Sequence, residues 1–447
     1  MVDQSIDKHG MGTIGFGMGI FPRTSAPQSI ALKWAECFRL CGILAAILLV
    51  LSCSNRGETA VLWTDRSEFA IYAEYFNSSQ DLHKVEVRYF KSPAEELTKT
   101  GEFPDIITGS WLKSVSTRAF FTPLDTFFSK NVISRRDFYP RILALGRIDN
   151  KQYLLPVAFN IPALVFSRET GALISNPFII GFEEIKTLGK EHNAETGGTY
   201  SRMGFSPVWD DEFLFTAASL FDADFREANP LAWDAAALER AMVYIQSWVN
   251  DANTGIQQVE DFSFKYFFEP PVKLVSSGRI LFTYMDSSQL FTLAEERRSN
   301  LDFRWITEKN TISLSEDAVF YGICPKGKAK KAAAAFTRWF FQPETQRLLL
   351  EMSRNMRINE TSFGISGGFS AIRGVTEQIF PRFYPNLLGH MPPEEFLSPP
   401  NVLPRNWITL KERIILPYLR ERIRSANKDD ISPLERRISD WSRLNRD

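Results

Sequence analysis

The sequence has few cysteines, and they are unevenly placed. Three of the four lie at Cys37, Cys41 and Cys53, which leaves Cys324 alone in the rest of the chain. A single cysteine excludes an internal disulfide in that part of the chain, and it has no nearby partner with which to bind a metal. We therefore expect non-covalent packing alone to stabilise residues 54–447.

Histidine pairs and an excess charge of either sign are also missing. None of the four histidines has the His-x-x-x-His spacing of a zinc-binding helix. Lysine and arginine number 52 against 53 aspartate and glutamate, the formal net charge is -1, and no basic run stands out. The composition therefore gives no support for a metal centre or a nucleic-acid surface.

Long apolar runs are absent except near the N-terminus. Leu40 to Leu51 is uncharged and apolar, too short for a membrane span of ~20 residues and typical of the hydrophobic segment of a signal peptide. It leads into Val50-Leu51-Ser52-Cys53, which resembles a bacterial lipobox. We expect residues 1–52 to be a leader with a lipoprotein signal peptide, and Cys53 to be lipidated. A plain signal peptide or a membrane anchor is the alternative, and a start codon placed too early would explain residues 1–30.

The remaining chain is long enough for two domains of mixed α/β type. At 447 residues the chain exceeds what one core usually supports. Apolar β-type runs at 58–63, 85–90 and 103–111 alternate with helical spacings, which predicts βαβ units and a mainly parallel sheet. Ligands bind beyond the carboxyl ends of such strands, so residues 63–66 and 110–113 are candidates.

Lys151 to Phe166 is an apolar, β-type run that two prolines interrupt. Pro156 and Pro162 cannot donate hydrogen bonds to a sheet, which places such a run at an edge, a bend or a passage between sheets. Asn160 is its one central polar residue. We interpret the run as a passage of the chain between two lobes.

Five segments in a fixed order resemble one known family. They are PDIITGSW (104–111), FTPLDTFF (121–128), NKQYLLPVAFNIPALVFSR (150–168), SSGRILFTYMDSSQ (276–289) and AVFYGICPKGKAKKAAAAFTRWFFQPETQRLLL (318–350). Together they resemble the extracellular solute-binding proteins of ABC importers, in the maltose-type group called family 1. The resemblance runs from about Thr59 to the C-terminus. It implies an α/β, two-lobe periplasmic-binding-protein-like fold of type II, with three interlobe crossings and a central ligand cleft.

The resemblance also implies where the chain crosses between the lobes. The crossings are expected near 158–161, 303–306 and 340–344. The N-terminal lobe would comprise residues 58–160 plus 305–342. The C-terminal lobe would comprise residues 162–303 plus 344–447.

Candidate ligand contacts combine short polar side chains with aromatic rings, as a carbohydrate requires for its hydroxyls and apolar faces. Several have an alternative: Asp65 and Asp210 are good helix caps, Asn160 can satisfy a local backbone group, and Trp407 can belong to the core. The loop from Asp286 to Gln289 lacks the tryptophan that the resembled family commonly has there, which leaves room for a short peptide, a polyol phosphate or a polyamine. The predicted contacts are Asp65, Arg66, Ser110, Trp111, Asn160, Trp209, Asp210, Asp286, Gln289 and Trp407.

The resemblance implies a lipid-anchored substrate-binding protein of an ABC importer that captures a small solute, foremost a sugar or oligosaccharide, by hinge closure. This function needs no catalytic residue, metal or cofactor. Its partners would be the solute, the permease subunits and a membrane at the cell envelope, with no nucleic acid, and the chain would be a monomer. Two alternatives remain: a cell-envelope hydrolase such as a glycoside hydrolase, and a sensor or adhesin component. Gly364 to Gly368 fits the G-x-S-x-G pattern of a nucleophile elbow, but its context favours a flexible loop.

Overall fold

The structure is a computed structural model that describes residues 57–99, 101–130, 133–425 and 428–444. The expected leader, the lipobox and the lipidated Cys53 lie outside the described residues. Gly57 to Asp447 forms one compact unit. No helix in the described ranges combines the length and the apolarity that a membrane crossing requires.

The strands fall into two main sheets and three short pairs. In chain order they are β1 (Glu58–Thr64), β2 (His83–Tyr89), β3 (Ile106–Gly109), β4 (Arg147–Ile148), β5 (Lys151–Gln152), β6 (Leu154–Phe159), β7 (Pro162–Ser167), β8 (Ile179–Gly181), β9 (Ala194–Thr196), β10 (Thr199–Arg202), β11 (Phe282–Asp286), β12 (Leu301–Thr307), β13 (Ile312–Ser313), β14 (Val319–Ile323), β15 (Phe369–Ser370) and β16 (Leu397–Ser398).

Helices flank both main sheets. They are α1 (Glu68–Ser79), α2 (Pro93–Lys99), α3 (Asp125–Ser129), α4 (Pro140–Ala144), α5 (Phe182–His192), α6 (Asp211–Leu220), α7 (Ala235–Asn253), α8 (Ile256–Tyr266), α9 (Pro271–Ser276), α10 (Ser287–Thr292), α11 (Glu295–Arg298), α12 (Lys330–Phe340), α13 (Pro343–Asn355), α14 (Phe380–Phe383), α15 (Trp407–Leu410), α16 (Leu416–Arg424) and α17 (Leu434–Leu444). A π-helical segment, Lys411–Ile415, joins α15 to α16.

The first lobe is built on a six-stranded sheet in the order β15-β6-β14-β3-β1-β2. β1 runs parallel to β2 and β3, as the alternating sequence pattern predicts, whereas β14 is antiparallel to both β3 and β6. α1 and α12 pack together through aromatic rings, with Phe69 against Phe340 and Phe76 against Phe336. These ring contacts join the two helices of the first lobe.

The second lobe is built on a four-stranded sheet in the order β11-β7-β12-β8. β7 is antiparallel to β11 and β12, and β12 is parallel to β8. Helices α5, α6 and α7 meet around Trp248, whose fully buried ring contacts Phe182 and Phe213. Much of the high aromatic content is therefore used in the two cores.

The first passage between the sheets lies at Asn160 and Ile161, because β6 belongs to the first sheet and β7 to the second. Asn160 is buried and bonded to both sides of the passage. Its Nδ2 donates to the carbonyl of Gly367 at 3.0 Å, and its Oδ1 accepts from Ser287 Oγ at 2.7 Å. These bonds explain the single polar residue in an apolar run.

The other two passages differ from the expected positions. β12 pairs with β7 and β8 as far as Thr307, so the second passage follows Thr307 and does not occur at 303–306. β15 pairs with β6, and Ser370 Oγ donates to Gln346 Oε1 at 2.5 Å, which keeps residues 344–370 with the first lobe. Pro343 is the first residue of α13 rather than a crossing. The assignments of 305–307 to the first lobe and 344–370 to the second are thus corrected, and the remaining boundaries stay a prediction.

Candidate functional site

Two adjoining cavities lie between residues of the two lobes. The first, here called the Asp317 cavity, has a volume of about 250 Å³ and is lined by Trp111, Glu212, Tyr284, Glu316 and Asp317, among others. The second, the Glu95 cavity, has a volume of about 500 Å³ and is lined by Asp65, Glu95, Ser110 and Trp111, among others. Trp111 and Ile408 line both cavities, so the two adjoin at these residues, and together they are called the cleft here.

Trp111 stands at the boundary of the two cavities in an unusual backbone conformation. Its φ of 65° lies in the left-handed region, which costs a residue with a side chain about 1 kcal/mol or more. The turn that imposes this angle follows directly after β3. The half-buried indole is thus presented to both cavities, where one face can stack against a ligand.

A charged cluster joins the ends of three neighbouring strands beside Trp111. Arg66, just after β1, donates from Nη2 to Ser110 Oγ at 3.2 Å, and its Nε lies 3.4 Å from Asp65 Oδ1. Ser110, just after β3, donates from Oγ to the backbone carbonyl of Asp317 at 2.6 Å. Arg66 Nη2 also lies 3.9 Å from Asp317 Oδ2. The structure therefore brings the predicted residues Asp65, Arg66 and Ser110 together at one edge of the sheet.

The two acids of this cluster are less acidic than usual. Burial raises the pKa of Asp317 to about 6, against the opposing charge of Arg66, and the nearby carboxylate of Asp286 adds to the rise. The Asp317 side chain is 42% accessible where it lines the cavity, and its buried Oδ1 has no hydrogen-bond partner among the described residues. Burial also raises the pKa of Asp65, again opposed by Arg66. Both carboxylates gain from a ligand that supplies hydrogen-bond donors.

A second charged cluster forms the opposite wall of the Asp317 cavity. Lys411 begins the π-helical segment, and its Nζ lies 2.5 Å from Glu212 and 2.5 Å from Glu316. Burial alone would lower the pKa of Lys411, but the two carboxylates outweigh it and raise that pKa, so the lysine stays charged. Trp407 Nε1 donates to Glu316 at 3.2 Å. These contacts hold Glu316 rigidly at the cavity wall.

Asp286 and Gln289 line the Asp317 cavity, as predicted, but they also cap a helix. Asp286 is the N-cap of α10, and its Oδ1 accepts from the backbone N–H of Gln289 at 2.8 Å. Gln289 Oε1 in turn accepts from the backbone N–H of Asp286 at 3.1 Å. This reciprocal capping fixes both side chains before any ligand arrives.

Four predicted contacts lie away from the cavity walls. Trp209 packs in the second lobe against Phe262 and Phe267, with ring centroids 5.8 and 4.9 Å away. Asp210 caps α6 by accepting from the backbone N–H of Glu212 at 2.8 Å. Trp407 is fully buried, and Asn160 holds the first passage as described above. Asp210 and Trp407 thus occupy the helix-cap and core positions of the alternatives, and their contact with a ligand stays a prediction.

Sequence reasoning missed several important wall residues, chiefly Glu316, Asp317 and Lys411. Asp317 precedes β14, whose antiparallel pairing puts Phe320 opposite Gly109 and so brings the start of β14 to the end of β3. A search that considers only the carboxyl ends of strands overlooks Asp317, because it lies at the amino end of β14. The polar run Ser315-Glu316-Asp317 ahead of a buried strand was the available signal. The sequence around Lys411 contains no pattern that indicates a place at the cavity wall.

The possible nucleophile elbow does not have the features of a hydrolase site. Ser366 is 1% exposed, and its Oγ has no hydrogen-bond partner among the residues that the structure describes. Its backbone N–H donates to the hydroxyl of Tyr72 at 3.2 Å. A buried serine without a base beside it cannot attack a substrate, so these residues form a structural turn.

The fold has close counterparts among solved structures. The sugar-binding protein MalE of Xanthomonas citri matches with a TM-score of 0.61 and 10% identity, covering 86% of this chain and 96% of its own. An ABC substrate-binding protein of Listeria monocytogenes, in complex with cycloalternan, matches with a TM-score of 0.60 and 12% identity, covering 87% and 99%. The maltodextrin-binding domain MalE of Bdellovibrio bacteriovorus, bound to maltotriose, matches with a TM-score of 0.54 and 14% identity, covering 87% and 100%.

The chain has the fold of these binding proteins. The two-lobe α/β architecture expected from the sequence is thus confirmed. No family model and no curated protein matches the sequence.

Proposed function

We propose that the chain is the substrate-binding protein of an ABC importer and that it captures a sugar or oligosaccharide in the cleft formed by the two cavities. The observation that carries this proposal is that Trp111 from the first lobe faces Glu212 and Tyr284 from the second across one cavity. A solute held there touches both lobes, so it favours a closed arrangement over an open one.

The cleft chemistry suits a carbohydrate and disfavours a polyol phosphate. The walls combine one accessible indole with carboxylates held by helix caps and ion pairs, which suits hydroxyl donors and apolar sugar faces. The Asp317 cavity presents four acidic side chains against the single cation of Lys411. This charge disfavours a polyol phosphate, whose anion would meet those carboxylates. The matching structures bound to cycloalternan and maltotriose point to the same class.

The rest of the proposed role follows from the same analogy and from the leader. The matching proteins are binding proteins rather than enzymes, so we propose capture without chemical change. The lipobox at Val50 to Cys53 supports a lipid anchor in the cell envelope. The partners would be permease subunits, and the protein would act as a monomer.

A thermal-shift screen tests the proposal directly. The chain from Gly57 onward, which forms one compact unit, is heated with neutral mono- and oligosaccharides, dipeptides, polyol phosphates and polyamines. A ligand at a hundredfold excess over Kd stabilises the folded state by about 2.7 kcal/mol. We expect a rise in the melting temperature with neutral saccharides.

A matched pair of variants shows whether the cleft is the site. Trp111→Ala should lose the shift, whereas Trp233→Ala, which changes another half-buried tryptophan away from both cavities, should keep it. A cooperative melt that no saccharide moves would overturn the proposal. Release of cleaved sugar, detected by mass spectrometry, would favour the hydrolase alternative.

A further inference from the structure

A third cavity, separate from the cleft, gathers three arginines. It has a volume of about 110 Å³ and is lined by Arg298, Arg354 and Arg382, which come from α11, α13 and α14. It shares no lining residue with the Asp317 or Glu95 cavity. Three separate helices thus each place one arginine at the wall of this small space.

These arginines lack acidic partners in the cavity. Arg354 and Arg382 form no side-chain hydrogen bond, and no ion pair within 4 Å, among the described residues. Arg298 donates from Nη1 to the carbonyl of Phe291 at 2.8 Å, which uses a small part of its donor capacity. Arg382 interacts electrostatically with Glu344, but the carboxylate of Glu344 forms its ion pair with Arg347.

The charge of the cavity is therefore strongly positive. Glu295 is the one acidic residue among its described lining residues, against three arginines. Bringing like charges together is unfavourable unless an anion compensates them. Ser353 and Asn359 also line the cavity and add neutral donors.

The size and chemistry of the cavity suit a phosphate group. Guanidinium groups match the oxygens of a phosphate with paired hydrogen bonds. The volume of about 110 Å³ leaves room for several water molecules, and so for a phosphate group.

We propose that this arginine cavity binds a phosphate group, carried either by a soluble phosphate ester or by a lipid headgroup. Arg298 lies between β11 and β12 of the second lobe, whereas Arg354 belongs to α13, which stays with the first. A phosphate bound there contacts both lobes through residues other than those of the cleft.

The test uses inorganic phosphate as the probe, with no solute for the cleft. Binding is measured by thermal shift and by ³¹P NMR titration at constant ionic strength, balanced with sodium chloride. The test variant is Arg354→Gln with Arg382→Gln, both at exposed positions where folding should persist. The control is Arg436→Gln with Arg443→Gln, which removes the same charge from side chains 77% and 70% exposed on α17.

We expect the parent and the control to bind phosphate alike, and the test variant to bind roughly tenfold or more weakly. Equal binding by all three proteins, or none by the parent, would overturn the proposal. Vesicles of phosphatidic acid and of phosphatidylcholine then distinguish the sources. Co-sedimentation with phosphatidic acid alone, lost in the test variant, identifies a lipid headgroup, whereas phosphate binding without co-sedimentation identifies a soluble ester. Because no sugar is involved, failure here leaves the proposed sugar capture unaffected.

Discussion

Replacing Lys411 by methionine should destabilise the protein severely. Lys411 has 4% of its side chain exposed and lies 2.5 Å from both Glu212 and Glu316. Methionine keeps most of the side-chain volume, so packing against the Phe215 ring, 4.2 Å from Nζ, largely survives. The loss is then mainly electrostatic.

The size of the loss in unfolding free energy depends on which carboxylate loses its ion-pair partner. Glu212 is 45% exposed and can be solvated by water, so its separation from Lys411 costs little. Glu316 is 13% exposed, and removing the partner of a buried charge costs about 3–5 kcal/mol. We expect the Lys411→Met variant to lose about this much free energy of unfolding, measured by urea denaturation.

Two further variants test whether the unpaired charge of Glu316 causes the loss of stability. Adding Glu316→Gln should restore most of the loss, since the amide oxygen still accepts from Trp407 Nε1 and the one carboxylate left without Lys411, Glu212, is exposed to water. Lys326→Met is the matched control: this exposed lysine lies 4.1 Å from the Phe103 ring, and its loss should cost about 1 kcal/mol or less. A loss below about 1 kcal/mol for Lys411→Met, or a double variant no more stable than the single one, would refute this account.

Three further outcomes are expected. Trp111→Ala should weaken saccharide binding by up to about tenfold in calorimetry, since a stacked ring contributes roughly 0.5–1.5 kcal/mol; unchanged affinity would remove Trp111 from the site. Asn160→Ala should lower the free energy of unfolding by about 1–3 kcal/mol, because it leaves Ser287 Oγ–H and the Gly367 carbonyl unpaired, and a neutral effect in urea denaturation would contradict this role. Burial raises the pKa of Asp317 to about 6, so its carboxylate becomes protonated as the pH falls from 7 to 5, and saccharide affinity should fall over the same range. If an Asp317→Asn variant kept this pH dependence, the titrating group would be a residue other than Asp317.

The sequence was most informative for site residues that directly follow a strand. Asp65 and Ser110 follow buried parallel strands, and parallel pairing of β1 with β3 necessarily brings them together. Asp317 depends on the antiparallel insertion of β14, which only the tertiary structure reveals. Lys411 depends on how α15 and the π-helical segment dock, and no local pattern encodes that contact.

Residue type alone could not separate ligand contacts from structural residues. Trp111 and Trp407 each directly follow a polar residue, Ser110 and Asn406, yet Trp111 lines the cleft and Trp407 is buried in the core. The run 301–307 reads equally as a strand or a crossing, and Pro343 is equally suited to a break or a first helical turn. In each case long-range pairing decided between two locally allowed structures.

The most direct test of the account is a crystal structure of the chain with the saccharide that gives the largest thermal shift. We predict an intact ligand between the two lobes, stacked on Trp111 and within hydrogen-bond distance of Asp317. A ligand bound outside both cavities, or one contacting a single lobe, would contradict the proposed capture by lobe closure.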